Sequence, residues 1–244
     1  LTDSPYNITG TSKEYADNIV SQCANFKGYI ALTDELNTLY NEHQKSSLIL
    51  EGIVENDSKS LTIDDNRYFF FGGAMLERYG VYELIKAFKK IQNNVQLLIC
   101  GHHYDEEKLF TAIGEDKRIK FLGILPVEQA IEIESHALAC INPRPYSEEL
   151  DKLSIPSKTL EYLASCSLTI SAKNTKLNRY FKDNIIWADN GDENGLYNAM
   201  EKVLNFSEEE IKNLAIKSQS KVIELYSINT VSKKLESFLL DIIK

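Results

Sequence analysis

Short apolar runs alternate with longer amphipathic stretches along this chain. The runs lie at 28–32, 47–50, 68–71, 95–100, 119–122, 137–141, 168–170 and 185–187. They are rich in β-branched or aromatic residues and bounded by Gly, Asn or Pro, the pattern of strands buried on both faces. Between them the apolar period changes to that of a helix. In 82–91 it places Leu84, Ile85, Phe88 and Ile91 on one face. The stretches 127–135, 157–165 and 196–204 behave likewise, and two longer helices are predicted at 207–226 and 229–243. Regular strand–helix alternation implies crossover connections. It predicts an α/β fold, a Rossmann-like, doubly wound parallel sheet with helices on both faces.

A polar stretch at 55–66, with Asn, Asp, Ser and Lys and little apolar content, reads as a boundary. Residues 1–55 hold a helix or two and two short strands, too little to bury a doubly wound core. They read as the remnant of a preceding domain and its linker. Residues 56–225 read as a complete α/β domain, and 226–244 as a closing helix that packs back toward the N-terminal part. The sequence opens on Leu1 rather than Met, which suits a fragment or processed chain.

Composition narrows the picture. The 244 residues carry a formal net charge of -9. An acidic surface argues against a nucleic-acid partner, which requires a basic face for phosphates. It leaves room for a local basic pocket that holds one diphosphate. Cys23, Cys100, Cys140 and Cys166 form no C-x-x-C pair and sit in or beside apolar runs, as reduced core residues of a cytoplasmic protein do. The His102–His103 pair lacks zinc-ligand spacing and reads as loop surface. No apolar stretch reaches the roughly 20 residues of a membrane span, and no signal peptide opens the chain.

Three strand-to-helix junctions carry candidate chemistry. In open parallel sheets, ligands bind beyond the carboxyl ends of the strands, where helix N-termini point. The first junction is Phe71-Gly72-Gly73, followed by Arg78, Tyr79 and Gly80. Adjacent glycines allow close backbone approach to a ligand, and Arg78 could clamp a phosphate. A turn glycine and a solvated arginine are the plainer reading. The second is Ile141-Asn142-Pro143-Arg144-Pro145, where Arg144 either meets an anion or pairs with Glu148 or Glu149. The third is Pro156-Ser157-Lys158-Thr159-Leu160-Glu161. Pro156 suits the first helical position. The open N–H groups of Ser157, Lys158 and Thr159 then form an anion site suited to a diphosphate. Glu161, one turn on, can accept from two hydroxyls of a ribose; alternatively it is an exposed glutamate favoured by the helix dipole.

These motifs, in order, resemble the donor-binding domain of the family 4 (group 1) glycosyltransferases of GT-B architecture. "FFFGGAMLERYGVYELIKAF" is similar to the first strand, glycine turn and helix of that family. "VQLLICG" and "IKFLGILPVEQ" resemble its next strands. "ACINPRP" with "IPSKTLEYLASC" resembles its donor loop, and "YIALTDELNTLY" with "SLILEGIV" the end of its acceptor domain and linker. The resemblance implies transfer of a sugar, with retention, from a nucleoside-diphosphate-sugar donor to a glycan or lipid-linked acceptor, as in surface polysaccharide biosynthesis. It implies no metal and no further cofactor. By the same resemblance, Glu161 holds the ribose hydroxyls, and Ser157, Lys158 and Thr159 present N–H groups to the diphosphate. Gly72 and Gly73 allow close approach, Arg78 helps neutralise the leaving group, and Gly123, Ile124 and Leu125 border the base. The chain departs from the family pattern in two places. The earlier glutamate that touches the donor sugar is Leu153 here, with Asp151 nearby. The phosphate-binding arginine and lysine after the first strand are Gly73 and Tyr79.

Two other functions fit the same domain. One is a nucleotide-sugar-binding module without catalysis, motivated by Leu153 and the short N-terminal part. The other is a GT-B sugar-nucleotide epimerase, which needs carboxylates or histidines converging on the sugar. The resemblance also implies peripheral contact with the inner face of a membrane. The candidate segment is 212–234, for which a solvated face is the plainer reading.

Overall fold

A computed structural model describes residues 12–55, 67–102, 104–165 and 168–243. Residues 56–66 of the expected 55–66 boundary, His103 and Cys166 lie outside the described residues. The first elements in chain order are α1 (Lys13–Cys23), β1 (Gly28–Ala31), α2 (Asp34–Tyr40), β2 (Ser46–Ile49), β3 (Tyr68–Gly72), a 3-10 turn (Glu77–Tyr79), α3 (Val81–Lys89), β4 (Gln96–Cys100), α4 (Glu106–Ile113) and β5 (Ile119–Phe121). There follow α5 (Val127–His136), β6 (Ala139–Asn142), α6 (Glu148–Leu153), α7 (Ser157–Ala164), β7 (Leu168–Ser171), α8 (Thr175–Phe181), β8 (Ile186–Trp187), α9 (Glu193–Leu204), α10 (Glu208–Tyr226) and α11 (Ile228–Ile243).

The chain divides into two compact units. The first combines residues 1–55, 147–156 and 224–244. Its strands β1 and β2 pair in parallel, Gly28 opposite Ser46 and Ala31 opposite Ile49. Ala31, Leu36 and Tyr40 form a small core with Leu153 packed against it. The α11 helix lies on this sheet, where a Cβ at Gly28 would meet Ile242 and Phe238. The sequence reading kept 147–156 inside one continuous stretch, 56–225. In the structure that segment belongs with the first unit, because α6 packs on α2 and Leu153 joins the core there.

The second unit, 56–146 with 157–223, holds a six-stranded sheet in the order β5-β4-β3-β6-β7-β8. Every neighbouring pair is parallel. This is the doubly wound order, and it reverses between β3 and β6. Residues Phe69 and Phe70 of β3, Leu97 and Ile99 of β4, and Ala139, Cys140 and Ile141 of β6 are fully buried, as strands covered on both faces require. The α3 helix buries Leu84, Ile85 and Phe88, the face its periodicity marks. Its packing partner is α9, through Leu196, Ala199, Met200 and Val203. The helices α4, α6 and α8 are short, and the sequence reading did not single them out.

The loops at the carboxyl ends of the strands pack on one another at contact distance. Gly101 follows β4 with φ of +146°, and a Cβ there would lie 1.7 Å from the Gly73 carbonyl oxygen. Gly80 has φ of +79°, and its Cβ would lie 2.0 Å from the Pro143 carbonyl oxygen. Neither position admits a side chain without moving backbone. Gly101→Ala is therefore expected to lower stability by about 2–4 kcal/mol, through both clash and strain. Chemical denaturation of variant and parent checks this, and equal midpoints would contradict it.

Candidate functional site

Strands β3 and β6 pair only at Phe69–Ala139 and Phe70–Cys140, and then diverge. Beyond that point Gly72 has no neighbour on its β6 side, and an unpaired buried amide is costly. The hydroxyl of Tyr162, on α7, fills the gap. It accepts from Gly72 N at 3.0 Å and donates to Gly72 O at 3.1 Å. Tyr162 is fully buried, and desolvation holds its phenol well above the ordinary tyrosine range, so it stays protonated as a donor. On the β6 side, Asn142 Nδ2 donates to Thr159 Oγ1 at 2.8 Å, and Thr159 Oγ1 lies 3.3 Å from Ser171 Oγ on β7. Side chains of α7 thus occupy the opening between the splayed strands and pin the helix there.

This fixes where the amino end of α7 sits. The helix starts at Ser157, one residue after Pro156. Its first-turn N–H groups have no carbonyl partner within their own helix, and its dipole presents partial positive charge there. Ser157 is exposed, Lys158 half-buried and Thr159 buried. The other end of α7 is held by Gln219 Nε2 of α10, which donates to Ala164 O at 2.9 Å. One turn into α7 stands Glu161, its side chain 40% exposed, with Oε1 2.6 Å from Lys158 Nζ. The same ammonium lies 3.5 Å from Glu134 Oε1 of α5.

Glu134 has 0% relative exposure. Desolvation, reinforced by the negative charge of Glu161 and opposed by Lys158, raises its pKa to about 8. At neutral pH it is therefore mainly a neutral acid behind the Lys158–Glu161 ion pair. Neither Glu134 nor Tyr162 was singled out from sequence. Glu134 had a signal, because it stands four residues after Ala130 and three before Ala137, on the apolar face of its helix.

The other expected residues fall around the same sheet edge. Gly72 is buried beneath the Tyr162 hydroxyl, and Gly73 N donates to Cys100 O at 3.1 Å. Arg78 is exposed on the 3-10 turn, its guanidinium 5.2 Å from the Tyr79 ring centroid. Arg144, in the loop after β6, lies 5.6 Å from the same ring. Two guanidiniums thus meet on Tyr79, where the family pattern has a lysine. Glu148, one sequence-based partner for Arg144, pairs with Lys152 at 2.7 Å. In the loop after β5, Gly123 has φ of +73° with open space where a Cβ would stand. Ile124 is 71% exposed and Leu125 is half-buried. Leu153, which replaces the family's sugar-contacting glutamate, packs in the core of the first unit. Cys23, Cys100 and Cys140 are buried free thiols. Among the described residues no cluster of potential metal ligands is found, and no helix is long and apolar enough to cross a membrane. In α10 and α11 the lysines of 212–234 alternate with Glu224 and other polar residues.

The profile of the family described as "Glycosyl transferases group 1" matches residues 53–221. A search of curated protein sequences finds no match. Solved structures with the same fold include sucrose-phosphate synthase from Thermosynechococcus elongatus, at TM-score 0.78 and 15% identity over 98% of this chain and 65% of that one. TarM from S. aureus matches at TM-score 0.76 and 14% identity, over 97% of this chain and 48% of that one. HepE from Anabaena matches at 0.77 and 13% identity, over 99% and 71%. The chain thus spans less than two thirds of the first two proteins.

Glu134 gives stability a pH dependence of defined sign. Between its ordinary value of 4.5 and about 8, the folded state keeps a proton that the unfolded chain has released. Stability from this group is fully present below the lower value and is lost as pH rises through the upper one. Glu134→Gln removes the ionisation. The melting temperature of the variant relative to the parent is therefore expected to rise by several degrees between pH 5 and pH 8.5. Thermal unfolding at both pH values checks this, and a constant difference would contradict it.

Proposed function

This chain belongs to the glycosyl transferases group 1 family, and on that premise we propose that its second unit binds a nucleoside-diphosphate sugar at the amino end of α7. Within the whole protein, the sugar passes to a glycan or lipid-linked acceptor with retention of configuration, in the building of a surface polysaccharide. The observation that carries this reading is the seating of α7 at the switch point between β3 and β6. This reading is supported by the amino end of α7 and the half-exposed Glu161 lying at the sheet edge where ligands of doubly wound folds bind.

Each group then has a chemical task. Departure of a nucleoside diphosphate builds negative charge on its terminal phosphate, so the transition state needs positive potential more than a strong base. The amides of Ser157, Lys158 and Thr159 supply part of it. Arg78 and Arg144, both beside the Tyr79 ring, supply more, in place of the family's arginine and lysine. Gly72 and Gly73 let the backbone approach. Glu161 accepts from the ribose hydroxyls. Gly123, Ile124 and Leu125 border the base, and the exposed apolar surface of Ile124 is suited to stacking against it. No metal or cofactor enters this scheme. HepE and TarM were each solved with UDP, which makes UDP the first diphosphate to try.

A second reading, binding without transfer, is favoured by one observation. Leu153 lies in a hydrophobic core where the family places a carboxylate on the sugar. Incubation of the full-length protein with a sugar nucleotide separates the readings, because release of free diphosphate or transferred sugar removes the second.

Calorimetric titration of this chain with UDP, GDP and ADP, with and without magnesium, tests the site. Saturable binding of one diphosphate, independent of magnesium, is expected. Glu161→Ala is expected to weaken it by about 2–4 kcal/mol, the cost of charge-assisted hydrogen bonds to two hydroxyls. Unchanged affinity in a folded Glu161→Ala protein would remove the ribose role.

A further inference from the structure

The cluster behind Glu161 holds two carboxylates and one ammonium. Lys158 Nζ is 2.6 Å from Glu161 Oε1 and 3.5 Å from Glu134 Oε1. It also lies 5.7 Å from the centroid of the buried Tyr162 ring. Lys158 is bounded on three sides, by α5, by its own helix turn and by an aromatic face. Its side chain is 38% exposed, so its head is not a freely solvated charge. A lysine on the first turn of a helix is poorly placed for the dipole, which favours anions there. The Glu161 carboxylate offsets that cost.

We propose that Lys158 is a positioning residue for nucleotide recognition: its ammonium, seated against the buried Glu134, holds Glu161 by one oxygen and so fixes the exposed part of that carboxylate for the ribose hydroxyls. This rests on the reading of Glu161 as the ribose acceptor. An unrestrained glutamate must lose rotamer freedom when it binds a diol. Glu161 is restrained before the ligand arrives. The role of Glu134 is to hold Lys158 from behind without competing for it, which requires a neutral carboxyl. The other titratable groups facing Glu134 are Glu161, Lys158 and Tyr162 on α7, Cys100 on β4 and Cys140 on β6. Burial keeps the Cys100 thiol and the Tyr162 phenol protonated through the neutral range. Ionisation of Glu134 in alkali gives Lys158 a second anionic partner and loosens its hold on Glu161.

The test compares affinities for UDP, GDP and ADP with those for their 2′-deoxy forms, in the parent chain and in variants. The parent should prefer the ribo form of the diphosphate that binds by about tenfold or more. Lys158→Met should collapse the preference to that of Glu161→Ala while its thermal unfolding stays cooperative, and Lys158→Arg should restore most of it. The parent's preference should also fall as pH rises from 7 to 9, while Glu134→Gln keeps it constant. If Lys158 instead touched the diphosphate directly, Lys158→Met would weaken ribo and deoxy forms alike. An unchanged ratio in that variant would therefore overturn the proposal while leaving Glu161 as the ribose acceptor. A pH-independent ratio in the parent would overturn the part given to Glu134. A parent with no ribo preference, or with no affinity for any of the diphosphates, would overturn the ribose reading itself, and this proposal with it.

Discussion

Everything at the candidate site depends on how the second unit satisfies its backbone where β3 and β6 part. A doubly wound sheet must open at its reversal point, and the opening strands lose hydrogen-bond partners. Here one phenolic hydroxyl replaces the missing strand. Tyr162 meets both the N–H and the C=O of Gly72, and Thr159 meets Asn142 across the gap. The helix that repairs the sheet is the helix whose amino end is proposed above to bind the donor. On that proposal stability and recognition share one element. That explains why α7 carries so few exposed residues for its length, with Thr159, Leu160, Tyr162 and Leu163 all buried.

The electrostatics follow from that seating. The chain is acidic as a whole, and Arg78, Arg144 and Lys158 stand on segments that follow β3 and β6. Arg78 and Arg144 come from different loops and converge on Tyr79, brought together because Gly80 lets the 3-10 turn close on Pro143. Lys158 comes from α7 itself and is neutralised by Glu161. The arginines lie against the Tyr79 ring, while the lysine is paired with a carboxylate. Glycines carry the geometry throughout, and those at 80 and 101 leave no room for a Cβ.

Much of this was legible in the sequence. Each apolar run became a strand within a residue or two of its expected limits, since burial on both faces leaves a strong signal. The helix start near Pro156 was legible because helix starts have local chemistry, although the first helical residue is Ser157 and not Pro156. What stayed hidden was tertiary. The hydroxyl of Tyr162 looks like any aromatic on an apolar helix face until the strands beside it are seen to diverge. Glu134 breaks an apolar pattern, but a single acid in a helix is read as surface until its burial is known. The two arginines on Tyr79 lie far apart in sequence, and no periodicity links them. The placement of 147–156 with the first unit turns on Leu153, whose partners Ala31, Leu36 and Tyr40 are distant along the chain.

If α7 both closes the sheet and forms the binding edge, removing one oxygen atom from Tyr162 should be felt at the ligand. The direct measurement is calorimetric affinity of Tyr162→Phe for the diphosphate that the parent binds, together with hydrogen exchange at the Gly72 amide. The expected result is a folded protein whose Gly72 amide exchanges faster and whose affinity is about fivefold to thirtyfold weaker, the equivalent of about 1–2 kcal/mol. Unchanged protection and undiminished affinity would contradict the coupling between sheet closure and nucleotide recognition.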